Sequence, residues 1–274
     1  MLYKSLFIFL LLFLVSCNIK DSRKNKIKNI KIEEITRGEK DIYFDFSKVE
    51  SRKIKNYPFE NEVEHLPKIS KEYFRCKGSP LNLERIDERD SDNIKIYLDC
   101  EGSSKHSLPL INKKENVYPV LVDILNYLQK KTKKRVNITC GHRCPKHNTY
   151  ADFDKTAKTS KHMIGAEVDF YVEGYENKPF EILDLIFKYF KEKKYYKNKN
   201  EYENFYEYTK ATDVKNPPFY NKEIFVKIYD FDEGRDFSNR HPYPYISLQV
   251  LFDKDNNEKV TYTWEKANKN LLSF

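Results

Sequence analysis

The sequence predicts an α+β protein with a mainly antiparallel sheet flanked by helices. Three observations carry that prediction. An amphipathic helical pattern over 117–134 runs directly into the β-type run Val136-Asn137-Ile138-Thr139. A second amphipathic pattern covers 179–195. Three β-type segments then close the chain, and the turn-forming stretch Asp253 to Glu258 separates the last two. Helices and strands are segregated rather than alternating, which favours an antiparallel sheet over a parallel one.

The first segment reads as a leader. A short charged start precedes the apolar run Leu6–Val15. That run is about half of the roughly twenty residues a transmembrane helix needs, and it fits a secretory signal peptide over 1–16. Leu14-Val15-Ser16-Cys17 resembles the lipobox of bacterial lipoproteins. The resemblance implies cleavage before Cys17, lipidation of its thiol and an extracytoplasmic, membrane-anchored protein. Residues 17–40 are lysine-rich and polar, as expected of a tether.

Residues 41–112 read as an N-terminal extension. It carries the apolar clusters Ile42-Tyr43-Phe44 and Tyr57-Pro58-Phe59 and a half-buried strand over Ile94–Leu98, and it ends in a loop through His106. The main domain is placed at 113–274. Its first helix presents Val117, Val120, Leu121, Ile124, Leu125 and Leu128 at helical spacing, with lysines at its end. The second presents Ile182, Leu183, Leu185, Ile186, Tyr189 and Phe190, with Pro179 in its first turn. Residues 196–220 read as irregular. The closing strands are Ile224–Tyr229, Tyr245–Phe252 and Lys259–Trp264, with Trp264 assigned to the core.

The formal net charge is +8, yet Lys, Asn, Ile, Tyr and Phe are enriched throughout and there are only 7 glycines. A bias spread over the whole chain does not point to nucleic acid. Outside the cytoplasm disulfides persist. Cys76, Cys100, Cys140 and Cys144 allow three pairings. Cys76–Cys100 with Cys140–Cys144 closes the shortest loops and would staple the extension as a flap. A zinc site made of the four thiolates is the rival, disfavoured because only Cys140 and Cys144 are closely spaced.

The chemistry concentrates between Val136 and Val172, which holds three of the six histidines, two of the five cysteines and Arg143. His162 and Asp169 stand seven residues apart around Gly165. An imidazole and a carboxylate suit zinc, and a buried carboxylate needs a metal or a cation. Ser160-Lys-His162-Met-Ile-Gly165-Ala-Glu167-Val-Asp169 resembles the S-x-H-x-x-G-x-A-x-D motif of the zinc D-Ala-D-Ala carboxypeptidases and related endopeptidases of hedgehog-type fold. Gly141 to Asn148 resembles the same family's upstream arginine turn. The resemblance covers roughly residues 115–252.

It implies that His162 and Asp169 are zinc ligands and that Ser160 supports the site. Arg143 would bind a substrate carboxylate or polarise the scissile carbonyl. His142 and Gln249 would touch substrate, and peptide stems of peptidoglycan would be the ligand class. This sequence departs from the motif in two places. Glu167 replaces the motif's alanine. On the late strand, Ser247 falls where the family has its third ligand, Gln249 where an aspartate follows, and Pro244 where the general base stands. His241 and His106 are the substitute ligands, and Glu167, Glu233 and Asp236 the substitute bases. The expected function is therefore a zinc D,D-peptidase-like hydrolase, or an inactive wall-peptide-binding module of the same fold. A surface lipoprotein with an envelope or host protein partner is the third reading.

Overall fold

The computed structural model describes residues 66–87, 94–152, 159–210 and 214–274. All described residues belong to one compact unit, 55–274. The apolar run, Cys17, the tether, the aromatic clusters of the extension and His65 lie outside the described residues. Among the described residues no helix is long and apolar enough to cross a membrane.

A 3-10 turn at Lys71–Phe74 leads to a hairpin of β1 (Arg85–Asp87) and β2 (Lys95–Tyr97). The hairpin corrects the expectation of a half-buried strand. Ile86, Ile94, Ile96 and Leu98 are all exposed. A second, two-residue hairpin pairs β3 (Leu110–Ile111) with β4 (Lys114–Glu115).

Helix α1 (Pro119–Thr132) starts two residues later than its apolar pattern does, because proline suits the first helical position. Lys133 ends it in the left-handed conformation. Strand β5 (Val136–Cys140) follows, then the short helix α2 (Pro145–Ala151), whose N-cap is the Cys144 sulfur. A 3-10 turn at Lys161–Ile164 precedes β6 (Glu167–Val172). Helix α3 (Pro179–Glu192) packs against α1.

The stretch expected to be irregular contains helix α4 (Asn200–Glu203), the edge strand β7 (Tyr206–Glu207) and its neighbour β8 (Phe219–Tyr220). Strands β9 (Ile224–Tyr229) and β10 (Tyr245–Val250) complete a six-stranded antiparallel sheet of order β5-β6-β10-β9-β8-β7. The expected hairpin across the Asp253–Glu258 turn is present as β11 (Phe252–Asp253) and β12 (Glu258–Lys259). Trp264 does not end a strand. Thr263 caps helix α5 (Trp264–Asn268), and the indole is exposed on its first turn.

The period of two along the strands sorts the sheet into two faces. Val168, Leu248 and Val226 align across β6, β10 and β9, as do Phe170, Ile246 and Ile228. These residues join Leu121, Ile124, Leu125 and Leu128 of α1 and Ile182, Ile186 and Phe190 of α3 in one apolar core. The opposite face carries Glu167 and Asp169 from β6 and Ser247 and Gln249 from β10.

One core-edge group carries a measurable penalty. Glu223, in the turn before β9, is 1 % exposed, and its Oε2 has no hydrogen-bond partner. Burial pushes its carboxyl up to about 7, and Tyr196 and then Lys254, 3.6 Å away, only partly offset this. A raised folded-state pKa gives stability that is full below the unfolded value near 4.5 and is lost as pH rises through about 7. Glu223→Gln removes that dependence. Chemical denaturation is expected to show the variant gaining on the wild type by about 1–3 kcal/mol between pH 4.5 and 8. A difference that does not change with pH would contradict this account.

Candidate functional site

The polar face of the sheet forms the floor of a cleft of about 750 Å³, a size typical of small-ligand sites. Register decides what the floor presents. Ser247 pairs with Asp169, and Gln249 pairs with Glu167. Tyr229 and Tyr245 are also directly opposite each other, and their rings stack at 4.7 Å.

His162 reaches this floor from the 3-10 turn. Ser160 caps the turn by accepting the His162 backbone N–H at 3.2 Å. Gly165 ends it at φ 68°, a left-handed conformation that suits glycine. His162 Nδ1–H donates to the Gly141 carbonyl at 2.7 Å, which turns Nε2 toward the carboxylates. Nε2 lies 3.4 Å from Asp169 Oδ2 and 3.8 Å from Glu167 Oε1.

These groups are buried and mutually charged. Burial opposes charge on His162, but the Cys140 sulfur and the carboxylates of Glu167 and Asp169 outweigh it, so its proton is held well above the usual histidine range. Burial likewise works against ionisation of Asp169. His162, Arg143 and the Asn239 amide outweigh it and keep the carboxyl below its usual value. Asn239 Nδ2 donates to Asp169 Oδ2 at 2.9 Å and is itself fixed by the Thr139 hydroxyl at 2.6 Å.

Arg143 lines the cleft yet is almost fully buried. Its Nε donates to Cys140 Sγ at 2.9 Å, and its outer nitrogen pairs with Asp236. Asp236, weighed in the sequence as a substitute base, is thus the counter-ion of the arginine. The rim adds Arg85, Asp152, Arg235 and Arg240. Arg235 is committed to loop carbonyls, among them Phe231, His241 and Tyr243. Arg240 stacks on Phe237 with its guanidinium carbon 3.8 Å from the ring centroid.

Not all the sequence-predicted residues gather here. His162, Asp169, Arg143 and Ser160 line the cleft together. Gln249 sits beside them and donates to Glu167 Oε1 at 2.8 Å. His241 packs on Tyr171, with ring centroids 5.1 Å apart. His142 is buried away from the cleft lining, and both its ring nitrogens lack partners. Burial, with His106 and His162 nearby, lowers its pKa to about 3, so its ring is neutral at pH 7.

The disulfide expectation is corrected. All four described cysteines are free, and Cys76 and Cys100 sulfurs stand 3.9 Å apart, far beyond the roughly 2.05 Å of an S–S bond. Cys140 and Cys144 face different clusters. Buried Cys/His/Asp groups that can hold a metal ion do exist. Around His162 such a group comprises Cys140, His162 and Asp169, with one ligating atom of each within 4.8 Å of the others; Glu167 and His241 are outside it.

The His/Asp/His zinc set implied by the resemblance does not fit these residues. Two ligands are in place, but Ser247 stands opposite Asp169 where the third would be. Its hydroxyl donates to Glu167 Oε1 at 3.1 Å, alongside Gln249. Cys140 Sγ, which accepts from the Arg143 guanidinium at 2.9 Å, is the remaining ligating atom beside His162 and Asp169. A cysteine–histidine–aspartate nucleophile reading does not hold, because Cys140 is buried and does not line the cleft. Asn239 and Asp236 were the residues hardest to find from sequence, since their loop has no matched motif. Compared with protein-family models, curated proteins and solved structures, the chain matches none.

The missing ligand makes a direct prediction. Ser247→His combined with Glu167→Ala opens the floor and supplies a second imidazole beside Asp169. The double variant is expected to bind one zinc equivalent more than the wild type by elemental analysis. No gain in a variant that retains its circular dichroism spectrum would show that the floor geometry is not that of a zinc peptidase.

Proposed function

We propose that this chain is a cell-envelope lipoprotein whose main domain binds peptidoglycan stem peptides and does not hydrolyse them. The observation that carries the reading is the use of Ser247 and Gln249. Both side chains donate to Glu167, so the strand that would complete a zinc centre completes an internal hydrogen-bond network. No general base stands at the position the resemblance would give it, since that position is Pro244.

The cleft suits a ligand that bears both charges. Arg85, Arg143, Arg235 and Arg240 are interleaved with Asp152, Glu167, Asp169 and Asp236. A stem peptide has a terminal carboxylate and an amino-bearing side chain, which complement such a lining. Tyr229 and Tyr245 offer flat apolar surface between the charges.

Calorimetry with a synthetic stem peptide ending in D-Ala-D-Ala, paired with a free D-alanine assay, tests this. Saturable binding with no release of D-alanine, with or without added zinc, is expected. Arg240→Ala should weaken binding about tenfold, the order of one lost charge-assisted hydrogen bond. Zinc-dependent release of D-alanine that His162→Ala abolishes would overturn the binding reading in favour of the hydrolytic one.

The anchor is tested separately. Expressed with its own leader in a bacterium, the wild-type chain is expected to partition into the detergent phase of a cloud-point extraction, and Cys17→Ser into the aqueous phase. Equal partitioning of the two would remove the lipoprotein part of the proposal.

A further inference from the structure

Away from the cleft, four metal-ligating side chains meet that no expected activity uses. Cys76, Cys100, His106 and Cys144 each place a ligating atom within 4.8 Å of the other three, and all four residues are buried. They come from four separate stretches: the segment after the first 3-10 turn, the end of the β1–β2 hairpin, the loop that follows, and the cap of α2.

The spacings decide between a disulfide and a metal. Zinc sits about 2.3 Å from thiolate sulfur and about 2.0–2.1 Å from imidazole nitrogen, so a tetrahedral site sets sulfurs about 3.8 Å apart and sulfur–nitrogen pairs about 3.6 Å apart. Cys76 Sγ and Cys100 Sγ are 3.9 Å apart, and Cys100 Sγ is 3.7 Å from His106 Nε2. These are the edges of such a tetrahedron.

The surroundings match as well. His106 Nδ1–H donates to the Ser107 carbonyl at 3.2 Å, leaving the Nε2 lone pair aimed at the sulfurs. The His147 backbone N–H donates to Cys144 Sγ at 3.3 Å, as suits a thiolate. A Cβ at Gly78 would lie 2.1 Å from Cys100 Sγ, so only glycine lets the backbone pass this close.

We infer that Cys76, Cys100, His106 and Cys144 form a structural zinc site of the Cys3His type. Four protein ligands leave no open position, so the ion fastens the fold and does no chemistry. What it fastens is the β1–β2 hairpin, whose apolar side chains are exposed and give it little core of its own. The same ion holds Cys144, the neighbour of Arg143, and so fixes the segment that carries the arginine of the cleft. The extended backbone bridge between His106 and Ser273 ties in the C-terminal residues too.

Elemental analysis of the purified chain, with cobalt substitution read by absorption, tests the site independently of any peptide binding. About one zinc per chain is expected. Co(II) should give the strong visible bands of a tetrahedral site and a sulfur-to-cobalt charge-transfer band. His106→Ala should yield its zinc to a chromophoric chelator that the wild type resists. His106→Cys should retain the ion, and His162→Ala and Cys140→Ser should leave the count unchanged. A chain that takes up neither Zn(II) nor Co(II), or a Cys76–Cys100 disulfide found by mass spectrometry, would overturn the proposal. So would zinc that survives His106→Ala but is lost in His162→Ala, since the ion would then sit in the cleft.

Discussion

The register between β6 and β10 is the constraint on which the rest depends. It sets Asp169 opposite Ser247 and Glu167 opposite Gln249, and it leaves Val168 and Phe170 facing the helices. Because side chains alternate, a slip by one residue would bury the carboxylates in the core and expose the apolar set. Apolar packing therefore enforces the register, and the register fixes the chemistry of the floor. Nothing in the cleft can be altered by sliding one strand against the other.

On that floor, cations and hydrogen-bond donors face the carboxylates. His162 faces Asp169 and Glu167, which favour its charged form, and Arg143 is paired with Asp236. Each buried carboxylate has a cation or a donor within reach, as burial demands. Glu167 and Ser247 act together on the floor. The acid fills the space and supplies the negative charge, while Ser247 and Gln249 satisfy its oxygen.

Much of this was legible in the sequence. Periodicity located α1 and α3, and the β-type runs located β5, β6, β9 and β10. The nearness of His162, Asp169 and Arg143 followed from a local motif spanning fewer than forty residues. The failures have a common physical origin in long-range contacts. Ile94, Ile96 and Leu98 alternate like a half-buried strand, yet no layer of the described residues covers them. Trp264 looked like core because tryptophan usually is, whereas Thr263 makes it the exposed start of a helix. The roles of Asn239 and Asp236 depend on a loop that folds back beneath β5, which no spacing in the sequence encodes.

The cysteines show the same limit most sharply. Counting loops favours pairing Cys140 with Cys144, their nearest neighbour in sequence. In the fold, the two residues join different clusters: Cys140 meets Arg143 and His162, and Cys144 meets Cys76, Cys100 and His106. A short turn with a ligand at one end and a site cysteine at the other is a poor disulfide and a good lever. Whatever holds Cys144 holds Arg143, and whatever holds Arg143 holds Asp236 and the loop that reaches Asp169 through Asn239. The ordering of the cleft is therefore carried through the turn as well as through the sheet, so the described residues from Cys76 to His106 belong to the site's scaffold.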